Sequence, residues 1–148
     1  MPTTTMLQPI PYLFFNGDCA EAMRFYEKTL GGTIKVMMTG AQMPVDQCAE
    51  PTPKEFMDRI VNAQLELPGG YLLYAGDCHP QISYDGIRGI SLTLNFATVE
   101  EAEQMFNALA EGGEIGMPFA PAFWAEKFGM VTDKFGVDWI INGVLQIP

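Results

Sequence analysis

Few residues in this sequence carry groups suited to chemistry. The single histidine, His79, follows Asp77 and Cys78 and precedes Pro80. An imidazole beside a carboxylate and a thiol could bind a metal or act as a general base. One imidazole cannot complete the usual facial set of His and carboxylate ligands, so a surface loop histidine is the plainer reading. Glu66 stands between Leu65 and Leu67 in a segment that alternates like a strand. If those leucines face inward, Glu66 faces solvent; if the sheet is inverted, Glu66 becomes a candidate base. Cys19, Cys48 and Cys78 are odd in number and form no CxxC pair. They read as small, partly buried side chains in a reducing compartment. Cys78 and His79 point apart on an extended backbone, so Cys–His catalysis would require Cys19 or Cys48. No residue stands out as catalytic.

Aromatic side chains offer a different chemistry. Phe119, Phe123, Trp124 and Trp139, together with Tyr12, Phe14 and Tyr74, could wall a small-molecule site. Ordinary core packing competes with that reading. It explains Trp124 least well, because Trp124 sits in a segment interrupted by Pro118 and Pro121. Asp133, just before Lys134-Phe135-Gly136, reads as a turn former. No P-loop, no GxSxG elbow and no strand followed by a GxGxxG turn is present.

These residues are positioned by a pattern that occurs twice. Tyr12-Leu13-Phe14-Phe15 reads as a short buried strand. Asp18 and Glu21 then form a potential capping box, and Ala22, Phe25 and Tyr26 follow on one helical face. Gly31-Gly32 stops that helix, and Thr33 to Met38 alternates as a strand. In the second half Ile90 to Phe96 alternates, Thr98 and Glu101 form the capping box, and Ala102, Met105, Phe106 and Leu109 line a helix. Gly112-Gly113 ends it. Asp18 and Thr98 stand 80 positions apart, as do Ala22 and Ala102, and Tyr26 and Phe106. A hairpin signal follows in each half, Ala63–Leu67 with Tyr71–Gly76, and Phe128–Asp133 with Val137–Val144. The expectation is α+β, a duplicated βαβββ module, with halves at about 8–77 and 88–146. Thr39–Arg59 and Gly116–Gly129 show no clear period, and Asp77–Gly89 reads as a polar connector.

Composition sets the outer limits. The chain has 148 residues, 48% of them hydrophobic, with 8 basic and 18 acidic side chains and a net charge of −10. Such a charge repels phosphate backbones and anionic membranes, so no nucleic acid and no membrane partner is expected. No stretch approaches the ~20 apolar residues of a membrane helix, and Met1–Met6 lacks the form of a secretory signal. A cytoplasmic location is expected.

Several segments carry a family likeness. They are Pro11–Phe15, Phe25–Gly31, Phe123–Ala125 and above all the run Gly129–Asn142. On these the chain resembles the PhnB-like branch of the vicinal-oxygen-chelate superfamily, which includes glyoxalases, bleomycin- and fosfomycin-resistance proteins and extradiol dioxygenases. The resemblance spans about residues 8 to 145. It implies the glyoxalase/bleomycin-resistance fold, with a small-molecule cleft between two βαβββ modules. In metal-using relatives four strand positions supply His and Glu or Gln to one divalent metal, a Lewis acid for the substrate. Here those positions fall near Pro11, Ser91, Leu73 or Tyr74, and Ile140 or Asn142, which make no His-and-carboxylate set. No metal ligand and no cofactor is therefore assigned, and a divalent metal stays an open alternative. The branch has also carried a demethylubiquinone methyltransferase label, for which the residues give no nucleotide-type turn. The main expectation is a small-molecule cleft without the usual metal centre. The alternatives are a metal-dependent lyase or transferase and a non-catalytic, antibiotic-sequestering homodimer. A homodimer is the expected assembly.

Overall fold

The structure, a computed structural model, describes residues 7, 9–43 and 54–146. Within these residues the chain divides into two compact units, the second beginning at Tyr84. Cys48 and much of the aperiodic stretch after Thr39 lie outside the described residues.

The first unit runs β1 (Tyr12–Phe15), α1 (Cys19–Leu30), β2 (Thr33–Thr39), β3 (Ile60–Glu66) and β4 (Leu72–Asp77). Short 3-10 turns at Gly40–Gln42 and Lys54–Phe56 lie between β2 and β3. The sheet order is β1-β4-β3-β2, with β1 parallel to β4 and the other neighbours antiparallel. Leu13, Phe15, Ala63, Leu65, Leu73 and Ala75 alternate onto the face covered by α1, where Ala22, Met23 and Tyr26 meet them in the core. Gly31, at φ 78°, takes the left-handed cap expected of a glycine after a helix.

The second unit repeats the order with β5 (Leu92–Phe96), α2 (Val99–Ala110), β6 (Glu114–Ala120), β7 (Ala125–Thr132) and β8 (Asp138–Leu145). Its sheet order, β5-β8-β7-β6, matches the first, again with one parallel pair, β5 and β8. The duplicated βαβββ pattern is thus what the chain forms. Trp139, Ile141 and Val131 pack beneath α2 with Ala102, Phe106 and Leu109. Two glycines permit that approach: a Cβ on Gly129 would strike the Phe106 ring, and one on Gly143 would come within 3.1 Å of Ala102 Cβ.

Three local expectations change. Tyr12–Phe15 is not a wholly buried strand, since Tyr12 is 41% and Phe14 54% exposed on the face turned away from α1. Most of the stretch 116–129 is strand, with a turn only at 121–124: β6 crosses Pro118, which an edge strand tolerates because its N–H is not required by the ladder. The Asp18 side chain makes no capping bond to α1, whereas Thr98 accepts from the Glu101 N–H at 3.1 Å as its sequence suggests. No helix among the described residues is long and apolar enough to cross a membrane.

Candidate functional site

The acid and thiol groups of the first unit serve its architecture. Asp77 is only 5% exposed, at the end of β4. Its Oδ1 accepts from the N–H groups of Gly17 at 2.8 Å and Cys19 at 3.1 Å, and its Oδ2 from Ile60 N–H at 2.9 Å. Asp77 therefore caps α1 in place of Asp18 and ties the β1–α1 turn to the start of β3. Both carboxylate oxygens are thus engaged by backbone donors, which gives Asp77 a structural role in this unit. Cys19 is fully buried beside it, and burial, followed by the charges of Asp77 and Asp18, pushes its thiol from 9.0 up to about 12. It stays protonated and unreactive at neutral pH. Cys78 lies by Arg59, whose Nη1 donates to the Cys78 carbonyl at 3.0 Å and to Asn16 Oδ1 at 2.9 Å.

His79 shapes a turn: its Nδ1 accepts from Gln81 N–H at 3.1 Å, and its ring lies 5.5 Å from that of Phe56. Leu65 lies beneath α1, so Glu66 takes the opposite face, exposed, with its carboxylate 3.9 Å from Lys35 Nζ. The leucine side of this strand faces the core and Glu66 faces solvent, the first of the two arrangements the alternation allows. On that same face, register places Tyr12, Tyr74, Gln64 and Val36 in one row across all four strands. Tyr12 lies across Gly76 and donates its hydroxyl to the Val61 carbonyl at 3.1 Å, and its ring is 4.9 Å from that of Phe14. Burial first, then Cys19, raises the Tyr12 phenol above its ordinary 10.0.

The second unit presents the more specific arrangement. Its sheet face away from α2 carries Asn95 of β5, Asn142 of β8 and Phe128 of β7 as direct neighbours in register. Trp124, in the β6–β7 turn, lays its indole over this row. The ring meets Phe128 edge-on at 4.5 Å and Phe123 at 4.7 Å. Trp124 Nε1–H donates to Asn142 Oδ1 at 3.1 Å, and Asn142 Nδ2–H donates to Asn95 Oδ1 at 3.0 Å. Asn142 is buried, Trp124 half-buried, and Phe123 is 88% exposed. Farther along the same face, the Thr132 hydroxyl donates to Asp138 Oδ1 at 2.6 Å.

Two aromatic candidates lie elsewhere. Trp139, 2% exposed, is core on the α2 side, and its Nε1–H donates to Asp133 Oδ2 at 2.8 Å. Asp133 Oδ1 accepts from the N–H groups of Phe135 and Val137, so Asp133 is a turn residue. Phe119 packs on the Phe106 ring at 5.5 Å, near the space over Gly143. Strand alternation turns both to the helix side, away from the face that carries Trp124 and Asn142. Asn95 was not singled out from sequence, since an asparagine in an alternating strand carries no signal of its own. Asn142 was noted only as a metal-ligand position.

The donor set does not suit a divalent metal. Pro11 lies at the entry to β1 and Leu73 under α1, while Tyr74, Ile140 and Asn142 face away from the helices with amide, phenol or hydrocarbon groups. Among the described residues no three His, Cys, Asp or Glu side chains gather where they could hold a metal ion.

Known proteins share this architecture along nearly the whole chain. The family described as 3-demethylubiquinone-9 3-methyltransferase matches residues 8–142. Protein YjdN of Escherichia coli (strain K12) is 38% identical over 145 residues, covering 93% of this chain and 96% of that protein. Among solved structures, protein PA1353 from Pseudomonas aeruginosa is 46% identical with a TM-score of 0.80, covering 93% of this chain and 97% of that one. The PhnB protein from Bacillus cereus is 26% identical with a TM-score of 0.73, covering 91% and 98%. A glyoxylase/bleomycin resistance protein/dioxygenase domain from Frankia sp. EAN1pec, at 14% identity and a TM-score of 0.65 over 95% and 93% of the two chains, shares the fold alone. The duplicated βαβββ units, their matched sheet orders and these likenesses lead to one conclusion: the chain belongs to the PhnB-like family described as 3-demethylubiquinone-9 3-methyltransferase and has the glyoxalase/bleomycin-resistance fold.

Proposed function

We propose that this chain binds a small organic molecule on the sheet face turned away from α2, without the divalent metal used by metal-dependent members of the fold. The supporting observation is the Trp124 indole, held edge-on by Phe128 and hydrogen-bonded to Asn142. A half-buried aromatic wall beside oriented polar groups is the usual composition of a small-molecule site. The lack of a fitting His-and-carboxylate set at the four family positions supports the metal-free form. The methyltransferase activity in the family's description is not adopted, because no strand-to-GxGxxG turn is present in the sequence.

A screen of metabolites by thermal shift, with and without Ni, Zn or Mn, tests the reading. An organic ligand should raise Tm with no metal added, and Trp124→Ala should remove the shift. Stabilisation that appears only with metal overturns it. The reading includes a cytoplasmic homodimer. The free cysteines Cys19 and Cys78 suit a reducing compartment, and the exposed apolar side chains of edge strand β6, Ile115 and Met117, suit a twofold contact. Light scattering at micromolar concentration checks the assembly, and a monomer overturns that part.

A further inference from the structure

The three side chains Trp124, Asn142 and Asn95 form a relay with one direction. An asparagine amide can usually be turned either way, because its oxygen and nitrogen have the same shape. Here the first member removes that freedom. An indole Nε1–H only donates, so the Asn142 atom 3.1 Å from it must be the oxygen. Asn142 then turns its Nδ2 to Asn95, and the Asn95 atom that receives it at 3.0 Å must be the oxygen as well. The consequence passes to the end of the chain. Asn95, exposed on β5, presents its Nδ2 hydrogens as the outward terminus.

The strands hold the relay in place. Asn95 and Asn142 are register partners in the parallel β5–β8 pair, and Asn142 is the partner of Phe128 in β7. Trp124 is fixed through its backbone too, since its carbonyl accepts from Gln146 N–H at 2.7 Å. The residue between, Val144, has φ 59°. A β-branched side chain rarely occupies that region, and such strain persists where the surroundings impose it. The β8 end thus takes a disfavoured backbone where it meets the Trp124 carbonyl.

We infer that the Asn95 amide, oriented through Asn142 by Trp124, is the hydrogen-bond donor of a ligand subsite, and that the ligand is an uncharged aromatic compound bearing a carbonyl oxygen. The inference rests on the small-molecule reading above. The ring packs against Trp124 and Phe128, and the oxygen accepts from Asn95 Nδ2. The net charge of −10 disfavours a carboxylate in the same place. An ammonium group would meet donors rather than acceptors.

The test uses the full chain, labelled with nitrogen-15, and four probes: acetophenone, benzoate, benzylammonium and toluene. The Trp124 indole and Asn95 side-chain resonances report binding. Acetophenone should bind about tenfold more tightly than toluene or benzylammonium, and benzoate more weakly than acetophenone. Asn95→Asp keeps the oxygen that Asn142 needs and deletes the outward donors. It should lower acetophenone affinity about tenfold, leave toluene unchanged and raise benzylammonium affinity. Trp124→Phe keeps a ring but frees the Asn142 amide to turn, so discrimination between acetophenone and benzylammonium should shrink while toluene still binds. If all four probes shift Trp124 without preference, or if Asn95→Asp changes nothing, the inference is overturned and the small-molecule reading stands. If benzoate outcompetes acetophenone, the uncharged ligand class is overturned. If no probe moves either resonance, both fail at this surface.

Discussion

Asp77 and Cys19 stand 58 positions apart in sequence, yet the Asp77 carboxylate accepts the Cys19 N–H at 3.1 Å at the first turn of α1. The other carboxylate oxygen holds Ile60 N–H, so one side chain fastens the helix to two strands. Much of what this chain does with its acidic residues is of this kind.

Removing the Asp77 carboxylate strands three backbone donors. Asp77→Ala should lower unfolding free energy by about 3 kcal/mol, since each buried unpaired N–H costs on the order of 1–3 kcal/mol. Asp77→Asn should cost less, because one oxygen remains to accept. Urea unfolding with circular dichroism measures both, and an Asp77→Ala midpoint equal to wild type would contradict the assignment.

The Cys19 thiol links stability to alkaline pH. Its native value is pushed up to about 12 from 9.0, by burial first and then by Asp77 and Asp18. Below pH 9 folded and unfolded chains both hold this proton, and its contribution is fully present. Between pH 9 and about 12 the unfolded chain releases the proton and the native chain keeps it, so stability falls as pH rises. Tyr12, raised above 10.0, acts in the same direction. The urea midpoint should fall between pH 8 and pH 10.5, and Cys19→Ala should make that fall smaller. An equal fall in the variant would exclude Cys19 as a source.

Gly129 admits the Phe106 ring against β7. Gly129→Ala places a methyl group into that ring and should cost about 1–3 kcal/mol through overpacking. Phe106→Leu in the same chain should recover part of the loss, a coupling that a double-mutant cycle detects. Additive losses would show that the two sites do not touch.

Val144 takes a left-handed backbone at φ 59°. Asparagine tolerates that region far better. Val144→Asn should therefore add about 1 kcal/mol, or a rise of roughly 2–4 °C in Tm for a chain of this size. A lower Tm would show that the valine's packing outweighs the backbone relief.

The two βαβββ units were legible because their signals are local. Ala102, Phe106 and Leu109 fall on one helical face, Thr98 and Glu101 form a cap in sequence, and the double glycines stop both helices. Strand β6 was hidden by Gly116 and Pro118, whose propensities are read against a strand but are harmless at a sheet edge. Tyr12 and Phe14 read as buried because they stand in an apolar run with Leu13 and Phe15. Only the side on which α1 packs decides which pair is covered.

Sequence by itself determined most of the elements, their duplicated order, the acidic composition and the family pattern in Gly129–Asn142. Periodicity and capping act over a few residues, so a linear reading recovers them. Tertiary structure decided what the polar groups do. Asn95 and Asn142 lie 47 positions apart and become neighbours only through the parallel pairing of β5 and β8. A parallel pair needs a long crossover connection, so its register leaves no signal in the residues adjacent to either strand. The same holds for Asp77: an acid at the end of β4 became the cap of α1 because β1 and β4 pair in parallel and bring their ends together.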